Sequence, residues 1–490
     1  MGSDPQYAKW PLLPLAQHVF TLTNPYASKP AQQTAAKQLQ DAITEHKMAP
    51  FYRYLAHPID GVLNAVGEAG AGSAQRKPLS RKSSLSGMIA PGGTAAAVTI
   101  AWDEGLYQSL QAENDKELEE YKKEEEEAVE KAGETEIQAA RGKRAEFWAR
   151  VGDKDKAIAA YEAVFENTGI LGTKIDLVLA IIRMGLFYGD KHLVKKHIAR
   201  AKTLVDAGGD WDRRNRLKAY EGLHLLTVRS YNLAAPLLLD SLSTFTSYEL
   251  CTYSSLVIYA VLAGSVSLKR VDFKSKVVDA PEIKAILGDG EDKLLALTGA
   301  ISAGPGADAE MQDAAAAASN KVTAVNLTTL GSTADQSEAE MAVDFGPLAQ
   351  LVSSLYNGRY KLFFQALALV EEQFLTQDRY LHEHRGWFIR EMRLRAYQQL
   401  LQSYRVVGLD SMANDFGVTV DFLDRDLAKF IAAGRIPCTI DRVAGNGVIE
   451  TNRPDDKNKQ YQDVVRQGDQ LITKLQKYGQ AVRLRGSERA

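Results

Sequence analysis

Cysteine is almost missing from this chain: 490 residues carry two, Cys251 and Cys438. That excludes a disulfide framework and suits a reducing compartment, so cytoplasm or nucleus is expected. Neither sign of charge is in real excess, with 59 basic residues against 62 acidic ones and a net charge of −3. Such a balance gives no overall attraction to nucleic acid or to an anionic membrane. No uninterrupted apolar run is as long as a membrane span. Met1 to Trp10 lacks a basic start followed by an apolar stretch, so no signal peptide is expected. Few prolines, 45% hydrophobic residues and 25% charged ones describe a globular protein, long enough for two or three domains.

Catalytic signatures are also missing. No G-x-x-x-x-G-K-[ST] loop is present to cradle a phosphate, no G-x-S-x-G elbow presents a serine, and H-E-x-x-H is absent. His382 and His384 form an H-x-H pair, but the serine and aspartate pattern that continues it in zinc isopeptidases does not follow. Positions i and i+2 of a helix also point to different faces. His192 and His197, five apart, converge poorly on a metal. Neither an enzyme nor a cofactor site is expected.

What the chain does contain is helix pairs. Gly152-Asp153, Gly189-Asp190 and Tyr231-Asn232 each lie between two amphipathic segments, about 37 and 42 residues apart, a period typical of helical repeats. Ile137 to Val151 faces Ala157 to Phe165, Leu177 to Phe187 faces Leu193 to Val205, and Leu217 to Val228 faces Leu233 to Leu242. A further turn at Tyr356-Asn357-Gly358 separates Leu348 to Leu355 from a helix over Tyr360 to Phe374. Each pair leaves an apolar face that only its neighbours bury, so a TPR-like solenoid is expected rather than an irregular bundle. Before the array, Glu113 to Glu136 reads as a charged helix whose run Glu124-Glu125-Glu126-Glu127 marks a solvated face. Gly67 to Gly93 and Ser302 to Met341 have the composition of disordered inserts. Arg81-Lys82-Ser83-Ser84, within the first, matches a basic-directed kinase site only weakly.

After the array the pattern changes. Gly417 breaks a short helix, Thr419 can cap the next over Val420 to Ala433, and Gly434 stops it. Two β-rich runs follow, joined by Gly445-Asn446-Gly447, a hairpin signal. Helix, turn, helix and hairpin make a winged helix. Its second helix carries Asp421, Asp424 and Asp426 against Arg425 and Lys429, an acidic face unsuited to a DNA groove. The hairpin run Val448, Ile449 and Glu450 is expected to offer a strand edge to a partner, unless it belongs wholly to the domain's own sheet. From Asp455 to Arg485, Tyr461, Val464, Val465, Leu471, Ile472, Leu475, Tyr478 and Val482 recur at steps of three, four and seven. They form one apolar stripe on a long helix, suited to core or to partner helices.

Helical repeats ending in a winged helix resemble the PCI-domain proteins of the proteasome lid, the COP9 signalosome and a translation initiation factor complex. Particular runs are similar to the lid's non-ATPase subunit seven family. They are Met48-Ala49-Pro50-Phe51-Tyr52, Gly209 to Tyr220 (G-D-W-D-R-R-N-R-L-K-A-Y), Ser243 to Leu250 and Arg390 to Arg405, with Phe430 to Ile436 and Val448 to Asp455. The inserts and a longer hairpin tip at Ala444 to Gly447 depart from that family. The resemblance implies a non-catalytic scaffold in a hetero-oligomer. Its expected partners are other PCI-domain lid subunits, the lid deubiquitinase subunit and the proteasomal base, without nucleic acid or membrane. Winged helices would associate side by side and C-terminal helices would gather in a bundle, placing Val465, Leu471, Ile472, Leu475 and Tyr478 at interfaces. The layout expected is an N-terminal helical segment (1–66), an insert (67–100), TPR-like repeats (101–300), a second insert (301–342), the PCI module (343–455) and a bundle helix (456–490). A signalosome subunit or a nucleic-acid-binding adaptor are the alternatives.

Overall fold

The computed structural model describes residues 6–59, 61–63, 88, 100–131, 133–288, 344–442, 447–451 and 456–487. Both expected inserts, apart from Met88 and Ile100, and hairpin-tip residues 444–446 lie outside that set. The protein is mainly α, with helical repeats, a winged helix and a long C-terminal helix. It forms two compact units: Met1–Asn357 with Gln365–Met392, and Gly358–Phe364 with Arg393–Ala490. Among the described residues no helix is long and apolar enough to cross a membrane.

In the first unit the repeats pair Glu134–Val151 with Lys154–Asn167, Leu171–Tyr188 with Lys191–Asp206, and Trp211–Thr227 with Tyr231–Ser241. The first two joints are two residues long. Gly152 (φ 81°) and Gly189 (φ 71°) end one helix in the left-handed region, where a Cβ is penalised. The next residue then starts the following helix: Asp153 accepts from the Lys156 amide at 3.2 Å and Asp190 from the Leu193 amide at 3.0 Å. The third joint departs from the sequence reading. Tyr231 is already helical, and the turn runs through Arg229, which takes φ 61° without being a glycine.

Successive pairs are stitched at the same period. Tyr188 donates to the Gly152 carbonyl (2.6 Å), Lys154 pairs with Asp190 (2.8 Å), and Arg183 donates to the Tyr220 hydroxyl (2.6 Å). Close helix contact within a pair uses Gly185 and Gly222, where a Cβ would come within 2.7 Å of Val194 and 2.6 Å of Leu238. The acidic helix spans Glu104–Lys131, and its glutamate run is only partly solvated. Glu125 takes Arg141 at 2.9 Å and Arg144 at 2.5 Å, and Glu124 takes Lys143, while Glu126 and Glu127 stay exposed. Ahead of it, helix Leu13–Thr23 is buried nearly all round. Its Gln17 donates to the Gln377 carbonyl (2.7 Å), and Asn24 donates to the Thr376 carbonyl (2.9 Å), pinning the N-terminal segment to a turn about 350 residues downstream.

The second unit holds the winged helix. Leu409–Phe416 and Val420–Ala432 are its helices, separated by Gly417 (φ 67°), and Thr419 caps the second by accepting from the Phe422 amide. Phe416 lies at the centre of an aromatic core, with ring centroids 4.6 Å from Tyr360, 5.0 Å from Tyr397 and 5.2 Å from Phe364. A three-stranded antiparallel sheet completes the unit: β1 (Val406–Gly408), β2 (Cys438–Asp441) and β3 (Val448–Thr451), in the order β1-β3-β2.

Candidate interaction surfaces

The strand-edge expectation is overturned. β3 is the central strand: Val448 pairs with Gly408 and Asp441, Ile449 with Val407 and Ile440, and Glu450 with Val406 and Thr439. Ile449 is fully buried, Val448 is half-buried and only the Glu450 side chain is exposed. The cause is β1, a Val-Val-Gly run before a helix, too short to show alternation in the sequence. Among the described residues the open edges of this sheet are the outer sides of β1 and β2.

The acidic face of helix Val420–Ala432 also needs correction. Asp426 is not exposed but buried, accepting from the Tyr397 hydroxyl at 3.2 Å and facing Arg393 at 3.5 Å. Burial pushes the Tyr397 phenol up, and the neighbouring Asp426 carboxylate pushes it further. Asp424 is half-buried and paired with Arg442, whose guanidinium it holds above the ordinary value. Asp421, Arg425 and Lys429 are therefore the exposed charges of that helix, beside Phe422.

The histidines of the H-x-H pair are structural and diverge. His382 is buried with Nδ1 2.9 Å from the Thr376 carbonyl, and burial lowers its pKa. His384 instead places Nε2 2.9 Å from the Thr227 carbonyl. His192 is exposed, while His197 is buried 3.9 Å from Glu162. Among the described residues no group of three or more His, Cys, Asp and Glu could hold a metal ion.

Among the described residues the terminal helix, Asp456–Ser487, carries a long exposed apolar face. Every residue from 460 to 482 is exposed. Val465, Leu471, Ile472, Leu475 and Tyr478 lie between 54% and 72% exposed, and Tyr461, Val464 and Val482 are in the same range. Tyr461, Val465, Gly468, Ile472, Leu475, Gly479 and Val482 follow one another by alternate steps of four and three, the spacing of a coiled-coil seam. Val464, Leu471 and Tyr478 widen that seam on one side. A stripe this broad and this exposed is the candidate interaction surface of the second unit. A protein-family model for the 26S proteasome regulatory subunit RPN7/PSMD6 C-terminal helix matches residues 460–482, the span of the stripe.

Two further family models match: 26S proteasome subunit RPN7 over 103–276 and the PCI domain over 359–453. The fission yeast Schizosaccharomyces pombe 26S proteasome regulatory subunit rpn7 is 36% identical over 475 residues, which is 97% of this chain and 97% of that protein. The chain belongs to the RPN7 family of 26S proteasome regulatory subunits. Its Saccharomyces cerevisiae relative, 26S proteasome regulatory subunit RPN7, is 36% identical over 99% of this chain and 96% of its own length. Likeness to COP9 signalosome complex subunit 1 of Arabidopsis thaliana is confined to 122 residues, 25% of this chain and 27% of that protein, at 26% identity. Within the run from Gly209 to Tyr220, Arg213 and Tyr220 are buried and bond Asp176 and Arg183 of the preceding pair, Arg216 is buried against Glu249, and Trp211 is exposed.

Proposed function

We propose that this chain is a non-catalytic scaffold of the proteasome regulatory-particle lid, serving ubiquitin-dependent protein degradation in the cytoplasm and nucleus. The observation that carries the reading is the apolar stripe from Tyr461 to Val482, exposed along its length and covering the residues matched by a family C-terminal helix. Burying each large apolar side chain contributes roughly 1.5–3 kcal/mol, so several together offset the association entropy of a helix bundle. Val465, Leu471, Ile472, Leu475 and Tyr478 are the proposed contacts with C-terminal helices of other PCI-domain lid subunits. Contacts of the winged helix would run through the outer strands. The lid deubiquitinase subunit and the proteasomal base complete the proposed partners, and neither nucleic acid nor membrane is among them.

Affinity purification of the tagged chain with mass spectrometry tests the reading. Lid subunits and proteasomal ATPases are expected in the eluate. Cullin-linked deneddylase activity in their place would assign the chain to the signalosome instead. Tight, salt-sensitive nucleic-acid binding by the fragment 345–455 would sink the exclusion of nucleic acid.

A further inference from the structure

We infer that, before it meets partner subunits, the terminal helix pairs antiparallel with the same helix of a second copy of this chain. Two glycines sit in its seam, Gly468 and Gly479, and around each the space that a Cβ would fill is open. A parallel pair of identical helices sets each seam residue against itself. Gly468 would then face Gly468 and Gly479 would face Gly479, leaving two layers unfilled, and packing contacts are lost wherever atoms have no partner. Val464, Leu471 and Tyr478, beside the seam, would remain partly in water.

Reversing one helix about an axis at Gln470 removes both faults. Tyr461 then faces Gly479, Val465 faces Leu475, and Gly468 faces Ile472. The twofold repeats these layers, so every glycine receives a large side chain. On the widened side Leu471 meets Leu471 and Val464 meets Tyr478, so the exposed stripe from Tyr461 to Tyr478 is covered. On the opposite side Gln462 meets Gln476, and Asp469 meets Asp469. That like-charge contact keeps the pair weak and lets partner helices displace it. The pairing uses the stripe invoked for lid assembly but is measured on the purified chain alone, so either reading can fail without the other.

Sedimentation velocity of the full chain across a concentration series, with single-cysteine cross-linking, tests the pairing. The two natural cysteines are buried and stay out of the reaction. A concentration-dependent dimer is expected, cross-linked several-fold more by Leu471→Cys, at the twofold, than by Leu475→Cys, whose opposite residue is Val465. A monomer at every concentration overturns the inference. So does cross-linking through Leu475→Cys in preference to Leu471→Cys, which reports a parallel pair.

Discussion

The guanidinium of Arg213 lies against the carboxylate of Asp176, Nε 2.9 Å from one oxygen and Nη2 2.7 Å from the other. Both side chains are buried, at 9% and 2% exposure, and they come from the first helices of successive repeat pairs. A bidentate pair so placed fixes the angle between repeats. Arg213→Met leaves Asp176 charged and buried, which costs about 3–5 kcal/mol. The double variant Asp176→Leu, Arg213→Met should recover much of that. Denaturant midpoints of the single and double variants check it, and equal losses in both would contradict the buried-charge account.

Gly152 is irreplaceable for two separate reasons. Its φ of 81° is strained for any other residue, and an added Cβ would sit 2.7 Å from the Phe51 Cβ. Gly152→Ala should therefore destabilise the first repeat by about 1–3 kcal/mol, seen as a lower melting temperature. Paired with Phe51→Ala, only the backbone part of that cost should persist.

Acid should unfold the first unit early. Burial lowers the His18 pKa to about 4, and burial with the nearby Lys191 and Lys195 lowers that of His224 to about 4. Both are neutral in the folded chain near pH 6, whereas in the unfolded chain they take up protons near 6.5. The unfolded state thus binds more protons below 6.5, so stability falls as pH drops from 6.5 toward 4 and is insensitive to these groups above it. Melting temperature measured across that window tests this. His224→Gln should flatten the slope.

Leu475→Asp should leave melting of the isolated chain within about 0.5 kcal/mol of the parent, because Leu475 touches solvent. Incorporation into the lid, followed by native electrophoresis, should fail or stall. Deletion from Gln462 onward should behave alike. Aggregation or unfolding of the truncated chain would mean that the helix belongs to an internal core.

Ile449→Pro reads the sheet. A proline there lacks a ladder donor in a strand paired on both sides. The winged helix should lose its fold while the repeats keep theirs, as hydrogen exchange would report. Normal protection of Phe416 and Leu427 amides in this variant would refute the central placement of β3.

Helices, joints and the terminal stripe were legible because each has a local signature: a 3.6-residue period, a glycine followed by a capping aspartate, a cap at Thr419. The third joint was misplaced by a few residues because Arg229 takes a left-handed backbone that its identity does not announce. β1 escaped notice because three residues carry too little alternation to be seen, and with it went the status of Val448 and Ile449. Asp426 looked exposed because its burial is decided by Tyr397 and Arg393, on another helix. The pairing of Gln17 and Asn24 with 376–377 has no local signature at all, since such amides find partners only once the fold is complete.

The two-residue joints have a mechanical consequence. Glycine and aspartate are each already committed, one to stopping a helix and the other to starting the next, so no residue is left over to act as a hinge. The two helices of a pair therefore cannot swing apart without breaking a cap, and a pair cannot turn on its neighbour without breaking one of the bonds between them. Displacement imposed on one pair must therefore be shared with its neighbours as small shears between helices, and the array passes load along instead of absorbing it.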